Sequence, residues 1–127
     1  MKQQEIHPQG APPPGGPYAH GIKVGDTVWT AGQAPFDAAG SIIGDDAATQ
    51  TEAVFDNLER VLTAAGATLN DVVKVVAHLQ HMSDFNAYNV VYARRFGSHR
   101  PVRTTVGSTL GGFLVEIDAI AVIGSGN

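Results

Sequence analysis

Residues 100 to 122, RPVRTTVGSTLGGFLVEIDAIAV, carry two charged side chains, Arg103 and Glu116, in stretches that otherwise read as apolar or Thr-rich strand. A guanidinium grips a carboxylate through a planar, bidentate fork that few other side chains can imitate. Arg103, between Val102 and Thr104, is therefore a candidate anion grip, although its position alone reads more readily as a solvated strand arginine. Glu116 and Asp118 share one face by the period-two alternation of a strand, opposite Val115, Ile117 and Ala119. Two acids on such a strand imply either a solvated outer face or a cavity between subunits. In the second case desolvation raises the acid's pKa and suits it to proton transfer near neutral pH.

Tyr18, placed after the rigid GGP, could wall a pocket or simply pack. His20 fits a surface or turn position better than a proton-transfer role. His78 and His81 form an H-x-x-H pair, but three residues apart on a strand they face opposite sides with no third ligand near, so no metal site is expected. The glycines of GGPY and LGG lack the Gly-Lys-Ser/Thr continuation of a phosphate cradle. No Gly-x-Ser-x-Gly or acid-base-nucleophile triad is present.

The elements that must hold these residues follow from period and punctuation. Five of the seven prolines lie between Pro8 and Pro17 and forbid regular structure there, so residues 1–15 read as an extended arm and 16–127 as a single domain. HGIKV and TVWTAGQ around Gly-Asp predict a hairpin over 19–33, and FDAAGSIIG a further turn and short strand. From Asp46 the period becomes helical through Val54, Leu58, Val61, Leu62 and Ala65, and Gly66 closes the helix. DVVKVVAHLQ (71–80) has the composition of a buried strand. A second helix opens at Ser83 as N-cap, shows Phe85, Tyr88, Tyr92 and Phe96 on one face and ends at Gly97. Strands over 102–109 and 113–123 complete the order β-β-β-α-β-α-β-β, an α+β layer with two helices on one face of a mixed sheet.

The charged fraction of 16% leaves few side chains to solvate a second sheet face, so a homo-oligomer is expected. A net charge of -4 without a basic cluster disfavours nucleic acid as a partner, and the absence of cysteine excludes thiolate chemistry. No run approaches the roughly 18 apolar residues of a membrane span, so the protein is expected to be soluble and cytoplasmic, with no membrane partner.

Five blocks in order, GPYAHGIKVGDTVWTAGQ (16–33), QTEAVFDNLERVLTAAGATLNDVVKV (50–75), DFNAYNVVYARRF (84–96), PVRTTV (101–106) and VEIDAIAV (115–122), resemble the reactive intermediate/imine deaminase family, RidA/YjgF-like, once described as L-PSP endoribonucleases. The resemblance implies a chorismate mutase-like fold, a homotrimer with a central barrel and clefts between subunits, and hydrolysis of enamine/imine intermediates such as 2-aminoacrylate to the 2-keto acid and ammonia, with no metal or organic cofactor. It implies that Arg103 grips the carboxylate of a small substrate and that Glu116 positions and activates water. It further implies pocket roles for Tyr18, for Thr30, Ala31 and Gly32 in a TSGQ-like segment, for Asn89 and for the backbone of Thr105. Two departures stand out: Thr105 replaces the Cys often found two residues after the Arg, and TLGGF replaces a longer Leu-Pro loop. An imine is already electrophilic, so the protein mainly has to orient it and deliver water.

Overall fold

The computed structural model describes residues 1–127. Six strands form one sheet: β1 (Gln4–Ile6), β2 (Gly21–Val24), β3 (Thr27–Thr30), β4 (Val72–Leu79), β5 (Val102–Gly107) and β6 (Val115–Val122). Two helices, α1 (Ala47–Ala65) and α2 (Phe85–Phe96), interrupt them. The spatial order is β1-β2-β3-β6-β4-β5; β4 and β5 run parallel and every other neighbouring pair is antiparallel. The parallel pair requires a crossover, and α2 supplies it.

The first helix starts where the Asp46 carboxylate accepts the Thr49 N–H at 2.7 Å. It stops at Gly66, whose φ of 89° is the left-handed geometry that lets its N–H reach back to Leu62 and Thr63. Between these caps Val54, Leu58, Val61 and Leu62 are fully buried against the sheet. Alternation in the strands then sorts the two sheet faces. Val75, Ala77 and Leu79 of β4, with Val115, Ile117, Ala119 and Ala121 of β6, point into the core beneath the helices. His78, Glu116, Asp118 and Ile120 occupy the other face, which no helix covers. That open face also carries exposed apolar side chains, Trp29, Val102 and Val106.

The element order matches the expectation, but one strand has a different source. FDAAGSIIG makes only an isolated bridge between Phe36 and Ile42, because the Asp37 carboxylate takes the N–H groups of Ala39 and Ser41 and folds the segment on itself. The extra strand is β1, ahead of the prolines, where every residue keeps its N–H and Ile6 is buried. Ser83 does not cap α2. It lies in a 3₁₀ turn over Met82–Asp84, closed by the Asp84 N–H on the His81 carbonyl, and the α-helix begins only at Phe85.

Candidate functional site

β5 is an edge strand, and its register sets Arg103 beside Val75 and Thr105 beside Ala77, so both point to the helix-covered side. There the guanidinium carbon of Arg103 sits 4.7 Å from the centroid of Tyr92, 5.4 Å from Tyr88 and 5.5 Å from Phe85. Its Nη1 donates to Asn89 Oδ1 at 2.8 Å. Three ring faces and one amide oxygen thus hold a cation that has donors to spare, since a guanidinium carries five N–H groups in total. It borders a cavity of about 320 Å³ together with Asn89, Tyr92 and Arg100. The hydroxyl of Tyr92, which lines this cavity, is buried without a hydrogen-bond partner, as are those of Tyr88 and Thr105. Burial pushes the Tyr92 phenol up to about 12 and raises that of Tyr88 against the opposing charge of Arg103, so both stay neutral donors at ordinary pH. The lining of this cavity can hold an anion but includes no carboxylate or imidazole.

Glu116 leaves β6 on the open side, paired in register with His78. Burial raises its carboxyl pKa above the usual value, and Asp118 adds to the rise while His78 opposes it. Asp118 is likewise raised by burial, with His78 and Lys74 opposing. Glu116 borders a second cavity, of about 350 Å³, with Tyr18, His20, Gly32, Pro12 and Phe113. Gly32 is required by contact rather than by conformation: a Cβ there would lie 2.7 Å from Glu116 Oε2. The Thr30 hydroxyl accepts the Ala119 N–H at 3.0 Å, and Ala31 donates its N–H to the His20 carbonyl at 2.8 Å and accepts from the Gln33 side chain, so both serve the frame that seats Gly32. The loop before β6 is pinned from α1, where Gln50 Oε1 accepts the Leu114 N–H at 2.8 Å, and Phe113 meets the edge of Phe36 at 5.4 Å.

Residues 8–123 match the family model described as Endoribonuclease L-PSP. The chain belongs to the L-PSP family. Among curated relatives it is 41% identical over 124 residues to a RutC family protein of Pyrococcus abyssi, covering 95% of this chain and 98% of the relative. It is 35% identical over 124 residues, with the same coverage, to a protein of Acinetobacter baylyi named 3-aminoacrylate deaminase RutC. Among solved structures, RidA from the Antarctic bacterium Psychrobacter superposes with a TM-score of 0.89 at 36% identity, covering 94% of this chain and 99% of that one.

For this L-PSP family chain, the residues singled out in the sequence fall into two groups. Arg103, Asn89 and Thr105 gather under α2, whereas Glu116, Tyr18 and Gly32 gather on the other side of the sheet. The two groups do not converge within one chain. His20, expected at a surface or turn, is instead buried, and its Nε2 lies 2.7 Å from the Pro12 carbonyl. Sequence reasoning also took Tyr88 and Tyr92 only as a packing face. Their i, i+4 spacing on either side of Asn89 was the signal that the same face could surround a cation.

Proposed function

We propose that this protein is an enamine/imine deaminase acting on small 2-imino acids, and that its working site joins the Arg103 side of one subunit to the Glu116 side of a neighbour in a homotrimer. The observation that carries the reading is the division of labour: a caged guanidinium with free donors on one face, and a carboxyl of raised pKa beside a ligand-sized cavity on the other. The exposed Trp29, Val102 and Val106 on the open face give copies of the chain an apolar surface to bury.

In this scheme 2-aminoacrylate enters as its imine tautomer, 2-iminopropionate. Arg103 holds the carboxylate, which fixes the imine carbon. A protonated imine nitrogen sharpens the electrophile, and Glu116, ionised, removes a proton from water as its oxygen bonds to that carbon. Glu116 then returns that proton to the carbinolamine nitrogen and takes up the hydroxyl proton as the carbonyl forms, the carbon–nitrogen bond breaks, and the 2-keto acid and ammonia leave. A general base contributes about 10²–10⁴-fold, and orientation by Arg103 adds to it.

The test is the rate of 2-keto acid formation from freshly generated 2-aminoacrylate against spontaneous hydrolysis, for wild type and Arg103→Ala. Acceleration that disappears in the variant supports the proposal, and no acceleration by the wild type overturns it. A second reading, a pathway-specific deaminase, is favoured by the name of the Acinetobacter relative, and running 3-aminoacrylate in the same assay separates the two.

A further inference from the structure

The proline segment ahead of Tyr18 is fastened rather than loose. β1 anchors it at one end, through pairing with β2 and the buried Ile6. At the other end the Gly15 N–H donates to the Tyr18 hydroxyl at 3.0 Å. Pro12, Pro13 and Pro14 have no N–H, so only their carbonyls can be held. His20 holds the first of them, in a buried contact of 2.7 Å. A carbonyl only accepts, so Nε2 must carry the hydrogen, which leaves Nδ1 buried without a partner.

What is fastened is a wall. Pro12 and Pro13 line the cavity that holds Glu116, as do Phe36 and Phe113, whose edge-to-face contact at 5.4 Å ties the loop before β6 to the turn after β3. The lining is therefore mixed: polar groups from Glu116 and Gln33, and rigid apolar side chains from Pro12, Pro13, Phe36 and Phe113. At about 350 Å³ the cavity offers more room than a three-carbon imino acid fills.

We propose that His20 is a positioning residue that latches the proline segment in place, and that Pro12, Pro13, Phe36 and Phe113 form a subsite for the apolar side chain of a 2-imino acid. 2-Imino acids with a larger apolar side chain are then bound more tightly than 2-iminopropionate, which remains a substrate. This rests on the deaminase reading above for the chemistry, but not for the shape of the subsite. A prefixed wall also spares the ordering cost that a mobile lid would carry.

The experiment measures binding and turnover separately on the intact assembly. By calorimetry, wild type binds phenylpyruvate about tenfold more tightly than pyruvate, the contrast expected for several buried carbons in an apolar pocket. His20→Ala narrows that preference to within about threefold, raises KM for the phenylalanine-derived imine more than it lowers kcat, and speeds amide exchange over residues 15–20. His20→Gln, which keeps a donor for the Pro12 carbonyl, restores the preference. The double variant Pro12→Gly, Pro13→Gly narrows it as well, without touching the buried imidazole. Equal binding of the two keto acids by wild type, or a parallel loss for both in His20→Ala with unchanged exchange, overturns the proposal. Discrimination between the keto acids with no imine turned over supports the subsite and overturns the deaminase reading alone.

Discussion

Arg103 and Glu116 leave the same sheet through opposite faces. Arg103 is in register with Val75, which is fully buried under the helices, whereas Glu116 is in register with His78 on the uncovered side. A side chain cannot turn through a sheet, so a site that uses both must be assembled from two chains.

Gly32→Ala sets a methyl carbon 2.7 Å from Glu116 Oε2. The carboxylate has to move, because the glycine sits in a frame fixed by Thr30 and Ala31. Turnover should fall by about 10²-fold, the scale of a misplaced catalytic group, with little loss in melting temperature. Steady-state kinetics alongside thermal unfolding check this, and unaltered kcat would show that Glu116 is not the acting group.

The aromatic cage around Arg103 separates affinity from packing. Tyr92→Leu removes the nearest ring, at 4.7 Å, and should weaken binding of a keto acid by about tenfold through a more mobile guanidinium. Tyr88→Phe removes only a buried hydroxyl that faces Arg103 and Thr105, so it should change stability by no more than about 1 kcal/mol in either direction. Calorimetric titration and denaturant unfolding read the two effects independently.

The elevated pKa of Glu116 gives a signed pH dependence. The folded chain keeps a proton that the unfolded chain releases near 4.5. The stability this group contributes is thus present below that pH and lost as pH rises through the raised folded value. Glu116→Gln should flatten that decline in denaturant titrations across a pH series. For the wild type, kcat/KM should rise with pH through the same raised value, because the base must be ionised to accept a proton. A rate that falls there would assign Glu116 the opposite role.

Trp29→Glu places a charge on the exposed apolar face of the sheet, where the native indole is 42% exposed. Folding should survive while the assembly dissociates, seen as a shift to monomer mass in light scattering together with loss of turnover. An intact assembly would mean that the open face is not the interface.

Much of the fold is legible in the sequence because its signals are local. Asp46 and Gly66 cap α1 as their types require, and the β-branched run of β4 and the alternation of β6 set their faces. What escapes local reading depends on long-range pairing. Gln4 to Ile6 is too short to announce a strand, and becomes one only because β2 offers an edge. FDAAGSIIG has strand-like isoleucines, but Asp37 turns it back on itself. The site follows the same rule. Arg103 and Glu116 stand out as charges in apolar strands, yet their separation by the sheet appears only once the parallel pairing of β4 with β5 is known. The burial of His20 depends on an arm whose path prolines restrict but do not specify.

The most direct test of a site shared between subunits is complementation. Arg103→Ala and Glu116→Gln, each inactive alone, are unfolded together, refolded as mixed assemblies and assayed for imine hydrolysis. If Arg103 and Glu116 act from different chains, random mixing pairs an intact Arg103 with an intact Glu116 in about a quarter of the clefts, and about that share of wild-type activity returns. If mixed assemblies form and stay as inactive as their parents, the two residues do not act across an interface and the account fails.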